Sequence, residues 1–194
     1  MNSTSRNSLD RIGQYEARDI LIRPITENDA TEKYAAWLND PEVAKYLETV
    51  FDSVSVSDVL DYCRSMIAAT NQLLFAIIRK GNLEHVGNIK LGNINWHHRF
   101  ADLGIMIGQR EYWGKGYGRQ ACLLLLRCAF EDLSLNKVIL GVHADHLGAI
   151  HLYESLGFER EGVHKNLLRQ KDSFHDKVLM GIDRQRYLSI HEEA

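Results

Sequence analysis

Apolar and polar residues recur along this chain with two different periods, and the pattern predicts strands and helices in succession. An apolar run at 20–25 predicts a first strand that ends near Pro24. Helical spacing of apolar residues then predicts two helices, one over 26–38 and one over 57–69. Thr26 is the expected N-cap of the first helix, because Asp29 three residues later completes a capping-box pattern.

The pattern becomes β-rich at Leu73. Short apolar runs predict the remaining strands, over 73–79, 86–95, 103–107, 137–142 and 178–182, with another that begins at 158. Apolar residues at helical spacing predict two further helices, over 116–133 and 147–156. The resulting order, β-α-α-β-β-β-α-β-α-β-β, contains no internal repeat and no linker, and it predicts a single mixed α/β domain.

Length and composition agree with one domain. The chain has 194 residues, of which we assign 19–184 to the domain, 1–18 to an N-terminal tail or arm and 185–194 to a C-terminal tail. The hydrophobic fraction of 45% and the charged fraction of 25% are average for a soluble globular protein. The net charge of −3 comes without a basic block, which argues against a nucleic-acid-binding protein.

The cysteines and the first residues of the chain predict the cellular location of the protein. Cys63, Cys122 and Cys128 form an odd set without Cys-x-x-Cys spacing, as expected for reduced core thiols of a cytosolic protein. Residues 1–8 are polar and lack the apolar run of a signal peptide, and the longest apolar run, at 122–126, is too short for a bilayer. We therefore expect a soluble cytoplasmic protein that does not contact a membrane.

The strongest chemical signal is a glycine-rich turn at 113–119, between a predicted strand and an apolar helix. Gly114, Gly116 and Gly118 allow a tight turn and leave backbone N–H groups uncovered. The helix that follows directs the positive end of its dipole at the turn, and Lys115 and Arg119 add positive charge. The turn is therefore suited to a phosphate or pyrophosphate, although such a turn can also be purely structural.

Two common phosphate-binding folds do not fit this turn. A P-loop requires Gly-x-x-x-x-Gly-Lys-Ser/Thr, which the residues after Gly114 do not supply. A dinucleotide-binding fold requires Gly-x-Gly-x-x-Gly after the first strand of a βαβ unit, whereas the glycines here follow mid-chain strands with Gly-x-Gly-x-Gly spacing. Both interpretations are excluded by spacing.

Two segments carry a family resemblance. Gly116-Tyr117-Gly118 matches the end of the motif (Gln/Arg)-x-x-Gly-x-(Gly/Ala), with Trp113 in place of Gln/Arg. The segment 146–158 is similar to Asn-x-x-Ala-x-x-x-Tyr-x-x-x-Gly-Phe, with His146 in place of Asn. Over about 20–182 the chain thus resembles the GNAT superfamily of N-acetyltransferases. Trp113 is typical of its branch of ribosomal-protein, spermidine and nucleotide-sugar amine acetyltransferases.

The resemblance implies a single-domain GNAT fold, a mixed central sheet that splays around acetyl-CoA and is flanked by helices. The pantetheine arm would pair with the strand at 105–107, and the pyrophosphate would bind the amides of the glycine turn. The acceptor amine would attack the thioester directly, without an acyl-enzyme. The residues expected to bind the cofactor on this basis are Ile105, Met106, Ile107, Trp113, Gly114, Lys115, Gly116, Tyr117, Gly118, Arg119 and His146.

Tyr153 aligns with the family's general acid, which protonates the departing thiolate, although a tyrosine on an amphipathic helix can also serve only packing. Asp102 is the first candidate for the base, because it precedes the cofactor strand on the face of Gly104 and Met106. A solvated acid beside Arg99, or a ligand for the acceptor's ammonium, would explain Asp102 equally well.

Other histidines are further candidates for proton transfer. His97 and His98 could relay protons through water, and His143 and Asp145 are reserve candidates for the base. Adjacent histidines can also bind a metal, but no third ligand follows His97 and His98 at ligand spacing, so we expect no metal.

The helices over 26–69 are expected to wall the acceptor site. Trp37, Tyr46 and Phe51 could give that wall an aromatic surface, although core packing explains each of them more simply. Glu42 and Glu48 could attract a cationic amine, although exposed acids are common without such a role. We expect a small primary amine as acceptor, with an amino sugar ahead of a polyamine. The alternatives are a protein N-terminal acetyltransferase of the ribosomal-protein type, a non-catalytic acetyl-CoA-binding regulator, and a domain without ligand. Oligomer formation through the apolar segment 178–190 stays open.

Overall fold

A computed structural model describes residues 9, 11–48, 53–170 and 172–191. Its centre is an eight-stranded sheet in the order β1-β2-β3-β4-β5-β6-β8-β7. Neighbouring strands are antiparallel except β5 and β6, which are parallel. The strands are β1 Tyr15–Glu16, β2 Ile20–Pro24, β3 Leu73–Arg79, β4 Glu84–Asn95, β5 Phe100–Ile107, β6 Lys137–His143, β7 Glu159–Gln170 and β8 Ser173–Asp183.

Helices cover both faces of the sheet, which confirms the predicted mixed α/β class. The helices are α1 Glu32–Asn39, α2 Pro41–Ala44, α3 Val56–Ala68, α4 Tyr117–Arg127, α5 Leu147–Ser155 and α6 Arg184–His191. Short 3-10 turns occupy Glu27–Asp29 and Arg110–Tyr112, and a π-helical turn at Cys128–Asp132 extends α4. None of the helices in the described ranges is long and apolar enough to cross a membrane.

The first predicted helix is divided in the structure. Thr26 and Asp29 form the expected capping box, but they cap only a 3-10 turn. The chain then leaves helical geometry at Ala30, and α1 starts with Thr31 as its own N-cap. The Asp29 carboxylate also binds the Arg23 guanidinium at 2.6 and 2.8 Å, which anchors this turn to β2. A single helix over 26–38 was therefore a wrong prediction, although its start was right.

Strand β3 shows why the sheet needs helices on both sides. Its residues Phe75 and Ile77 belong to the core that contains α4, while Leu74, Ala76 and Ile78 belong to a second core with α1–α3. Successive side chains of a strand point to opposite faces, so a strand that is apolar throughout must be covered twice. This arrangement leaves the edges and ends of the strands as the places where a ligand can enter.

The two segments that the sequence analysis assigned to tails contain regular structure. Tyr15–Glu16 pairs with β2, and the Tyr15 hydroxyl donates to Asp132 Oδ2 at 2.6 Å. Helix α6 buries Tyr187, whose hydroxyl donates to Glu131 Oε1 at 3.0 Å. Both segments therefore pack on the extended end of α4.

Candidate active site

A cleft opens where β5 and β6 separate. The two parallel strands pair only at Phe100 with Lys137, Ala101 with Val138, and Asp102 with Ile139. Beyond these residues they diverge, and the cleft between them has a volume of about 1160 Å³. Its walls come from both strands, the glycine turn, α5 and the segment 42–48. The predicted splayed sheet is thus present.

One wall of the cleft is an unpaired strand edge. On one side β5 pairs with β4, with Ile105 opposite Ile89 and Ile107 opposite Gly87. On the other side the pairing with β6 has ended at Asp102. Alternate backbone N–H and C=O groups of a strand point to each side, so the part of β5 beyond Leu103 presents hydrogen-bonding groups to the cleft, of which the Ile107 carbonyl accepts the Trp113 indole N–H. The predicted cofactor strand at 105–107 lies here.

The glycine turn has the geometry of an anion site. Gly114 and Gly116 have φ values of 71° and 80°, in the left-handed region that glycine adopts without strain. Gly116 is the N-cap of α4 and offers no side chain to its first amides. The first helical N–H groups, those of Tyr117, Gly118 and Arg119, therefore face the cleft without an intrahelical partner. These amides could hold a pyrophosphate.

Trp113 connects the turn to the strand. Its indole Nε1–H donates to the Ile107 carbonyl at 2.7 Å, which occupies the last carbonyl of β5. The ring is 43% exposed and forms part of the cleft wall. Trp113 stands at the first position of the (Gln/Arg)-x-x-Gly-x-(Gly/Ala) motif. It thus holds the end of β5 against the glycine turn.

Cationic side chains surround Tyr112, directly before the turn. Lys115 Nζ lies 5.2 Å from the centre of the Tyr112 ring, and the Arg79 guanidinium carbon lies 5.5 Å from it. Arg79 also donates from Nε to the Tyr117 hydroxyl at 3.3 Å. Lys115 and Arg119 are exposed, as an anion site requires. The sequence analysis missed Arg79, because it lies on β3 and comes to the turn only through the sheet.

A carboxylate anchors the same loop. Glu84 on β4 accepts hydrogen bonds from the Tyr112 hydroxyl at 2.6 Å and from Gln109 Nε2 at 2.9 Å, and it pairs with Lys33 at 2.5 Å. These donors, led by Lys33, lower the pKa of Glu84 to about 2. The loop that leads into the glycine turn is therefore fixed to the sheet by a carboxylate that stays ionised.

Tyr153 lies on α5 and lines the cleft. It is 7% exposed, and its ring packs at 5.7 Å from that of Phe158. Burial raises the pKa of its phenol above the ordinary value, so the phenol stays protonated at neutral pH. Within the described part of the chain its hydroxyl has no hydrogen-bond partner. A proton donor is thus available at this wall.

Asp102 lies at the apex of the cleft, where β5 and β6 last pair. Its carboxylate accepts a hydrogen bond from Asn93 Nδ2 at 2.6 Å. Arg99 is not its partner, because that guanidinium donates to the Ser134 carbonyl. His97 and His98 pack edge to face in the β4–β5 turn, outside the lining of the cleft, so a relay through them is not supported.

A cluster of aromatic and histidine rings forms the opposite end of the cleft. His146, the N-cap of α5, stacks on Tyr46 at 4.1 Å between ring centres, and Tyr46 lies 5.2 Å from His143. His143 packs at 4.7 Å from His175 of β8. Burial is the main cause that lowers the pKa of His143 and of His146. His146 makes no side-chain cap and lines the cleft beside Tyr46.

The other predicted wall residues have different positions. Glu42 and Glu48 line the cleft, with Glu48 bound to Lys177 Nζ at 2.7 Å. Trp37 is 4% exposed and belongs to the core between α1 and the sheet, so core packing, the simpler interpretation of this residue, is confirmed and a place in the acceptor wall is not. Phe51 lies outside the described residues.

Known proteins share these features. The sequence model of the acetyltransferase (GNAT) domain matches residues 19–159. The chain is 30% identical over 179 residues to spermidine N(1)-acetyltransferase of Escherichia coli (strain K12), with 91% of this chain and 92% of that protein covered. It is 31% identical over 115 residues to the putative ribosomal N-acetyltransferase YdaF of Bacillus subtilis (strain 168), with 59% and 61% covered. The crystal structure of spermidine N-acetyltransferase from Vibrio cholerae in complex with CoA and spermine superposes with a TM-score of 0.80 at 25% identity, over 88% of this chain and 98% of that one.

Proposed function

Since the chain belongs to the GNAT family of N-acetyltransferases, we propose that it transfers an acetyl group from acetyl-CoA to a primary amine of a small acceptor. The observation that carries this proposal is the free edge of β5 beside the glycine turn, within one cleft. The family uses acetyl-CoA, and the V. cholerae neighbour contains CoA. A cytoplasmic location stays a prediction of the sequence.

The cofactor is proposed to bind along two backbone surfaces. The pyrophosphate would accept hydrogen bonds from the amides at the start of α4, next to Lys115 and Arg119. The pantetheine arm would pair with the open edge of β5 at 105–107, as another strand would. This places the thioester deeper in the cleft, toward the residues of β6 and α5.

The transfer is proposed to be a direct attack. The neutral amine nitrogen forms a bond to the thioester carbonyl carbon, and the C–S bond breaks. Tyr153 gives its proton to the departing thiolate, and the proton that the nitrogen loses on forming the amide restores the phenol. All three cysteines are buried within the core, so a cysteine acyl-enzyme has no support. Asp102 and His143 both line the cleft and compete for the role of base.

The acceptor is proposed to be a polyamine or an amino sugar. Relatives named spermidine N-acetyltransferases favour a polyamine, and Glu42 gives the cleft a carboxylate that attracts ammonium groups. Lys45 and Lys90 also line the cleft, and they would suit the phosphates of a nucleotide-linked amino sugar. A protein N-terminus stays the third candidate, because one relative is named a putative ribosomal N-acetyltransferase.

Two measurements test this function. Calorimetric titration with acetyl-CoA should show micromolar binding, weakened severalfold by Lys115→Ala and unchanged by Lys165→Ala, an exposed lysine on β7 outside the cleft. A free-thiol assay with spermidine, a nucleotide-linked amino sugar and an N-terminal peptide should show release for one class. Binding without release for any amine would favour a non-catalytic regulator, and absence of binding would refute the proposal.

A further inference from the structure

An unpaired lysine lies in the part of the cleft that is expected to receive the acceptor. Lys90 is in the middle of β4 and pairs with Gly104 of β5. Its neighbours Ile89 and Leu91 belong to the core that contains α4, so Lys90 points to the opposite face, which α1–α3 cover. Its side chain is half-buried and lines the cleft. The positive charge of Lys90 is therefore on the acceptor side of the sheet.

Two glycines make room for this lysine. Atoms Cγ, Cδ and Cε of Lys90 lie 3.5, 4.0 and 3.4 Å from the position that a Cβ atom would have at Gly104. Cε also lies 3.8 Å from the corresponding position at Gly92, two residues later on the same face of β4. The end of the stem thus approaches Gly92, which pairs with Asp102 at the apex of the cleft. The ammonium group of Lys90 is therefore directed toward this apex.

Lys90 has no counter-ion among the residues that the structure describes. Its ammonium group makes no hydrogen bond or ion pair with any of them, although Asp102 is only one register step away. The Asp102 carboxylate accepts a hydrogen bond from Asn93 Nδ2 at 2.6 Å instead. A half-buried ammonium group without a partner has lost part of its hydration without compensation, so an anionic ligand would stabilise it.

The other lysine and carboxylate side chains of the cleft do not favour a polycation. Glu48 binds Lys177 at 2.7 Å, and Glu161 binds Lys137, so two of the carboxylates are already neutralised. Two further cleft residues of opposite charge are exposed to solvent, Glu42 and Lys45. The described lining therefore offers few unpaired carboxylates to the several ammonium groups of a polyamine.

We propose that Lys90 determines acceptor specificity by binding a carboxylate or phosphate group that the acceptor carries besides its primary amine. The inference rests on the proposed function. Lys90 and Asp102 offer the apex of the cleft one positive and one negative group at neighbouring register positions. Asp102 attracts the ammonium form of the reacting amine, and Lys90 binds the anionic group of the same molecule. A polyamine has no anionic group, and Lys90 repels its further ammonium groups.

Matched amines test this inference in the free-thiol assay. Free alanine differs from alaninamide by a carboxylate charge, glucosamine 6-phosphate and UDP-glucosamine differ from glucosamine by phosphates, and spermidine represents the polyamines. For the wild type, kcat/KM should be about 10- to 100-fold higher for an anionic amine than for its neutral counterpart, as expected for one hydrogen bond between charged groups. The set of amines that shows this preference identifies the anionic group as a carboxylate or a phosphate.

Lys90→Met keeps the stem of the side chain over Gly104 and removes its charge. It should lower kcat/KM for the preferred anionic amine about 10- to 100-fold, mainly through KM. It should leave kcat/KM for the neutral counterpart and the acetyl-CoA affinity by calorimetry unchanged. Lys90→Glu should shift the preference toward spermidine. Lys165→Met is the matched control, because this lysine is exposed on β7 outside the cleft, and it should change none of these values.

The contrary outcomes separate this inference from the proposed function. A wild type that prefers spermidine or the neutral amines would overturn the role of Lys90 and leave the acetyl transfer intact. An equal loss of kcat/KM for anionic and neutral amines in Lys90→Met would also overturn it, because that result indicates a packing role alone. A protein that binds acetyl-CoA but releases no thiol with any of these amines would refute the proposed function itself, and this inference with it.

Discussion

Replacing Glu84 with glutamine tests how the loop before the glycine turn is held. The carboxylate binds Lys33 on α1, and it accepts hydrogen bonds from Gln109 and Tyr112 in the loop. Glutamine keeps the shape of the side chain but removes its charge and places an N–H₂ group among donors. We therefore expect Glu84→Gln to destabilise the fold and to loosen the loop that leads to Gly114, which should also raise KM for acetyl-CoA.

The magnitude follows from the pKa of Glu84. The folded protein holds this pKa at about 2, against an ordinary value of 4.5. Each pKa unit corresponds to about 1.4 kcal/mol, so the full shift of about 2.5 units corresponds to about 3.5 kcal/mol. The side chain is 24% exposed and water screens its charge, which reduces the expected loss to about 1–2 kcal/mol. The pKa of Glu84 is lower in the folded protein than in the unfolded chain. The stabilisation is therefore complete above pH 4.5 and is lost as the pH falls toward 2.

Urea denaturation at pH 7 and at about pH 3 measures this loss. At pH 7, Glu84→Gln should lower the free energy of unfolding by about 1–2 kcal/mol, and the gap to the wild type should narrow at the lower pH. Glu159→Gln is the matched control, because its carboxylate forms an exposed pair with Arg186 at 3.0 Å. A difference in unfolding free energy between the wild type and Glu84→Gln that does not change with pH would refute the role of Glu84 as an anchor. A loss of unfolding free energy no larger than that of Glu159→Gln would refute it as well.

Three further substitutions test the proposed general acid, the glycine turn and the close packing of β4 against β5. Tyr153→Phe should lower kcat about 100-fold or more in the thiol assay while acetyl-CoA affinity stays within about twofold, and an unchanged kcat would remove it from the acid role. Gly116→Ala should cost about 1 kcal/mol of stability and weaken acetyl-CoA binding, because its φ is 80°. Gly13→Ala is the control, because Gly13 has open space, no positive φ and no place in the cleft lining. Gly87→Ala should lower the unfolding free energy by about 1–3 kcal/mol in urea, because its Cβ would collide with the Met106 carbonyl oxygen, and a neutral effect would contradict that close packing.

The parts of the site that depend on neighbouring residues could be predicted from the sequence. Left-handed φ values at Gly114 and Gly116 follow from glycine at a strand-to-helix turn, and the start of α4 follows from the apolar pattern after it. For the glycine turn a few consecutive residues determine the geometry, so no knowledge of the fold was needed. The expectation that Tyr153 faces the cleft came from the family resemblance of the segment 146–158, and the residue lies in the cleft wall on α5.

The parts that depend on strand order could not be predicted in this way. His175 contacts His143 only because β8 inserts between β6 and β7, and nothing in the local sequence indicates that order. Glu84 reaches Tyr112 across the β4–β5 pair for the same reason. The sequence left both a core and a wall position open for Trp37, because an aromatic residue on a helix gives the same pattern whether it packs on the sheet or faces a ligand.

Trp113 shows how a departure from the family motif can be explained by structure. Its indole N–H satisfies the Ile107 carbonyl, the last one of β5, while its backbone continues directly into Gly114. The two surfaces proposed to bind acetyl-CoA, a strand edge and a helix N-terminus, are therefore joined by one hydrogen bond at 2.7 Å. A ligand that spans both surfaces requires their relative position to be fixed before it binds, since ordering the loop on binding would reduce affinity. The tryptophan fixes that position from the side of the turn, as Glu84 does from the side of the sheet.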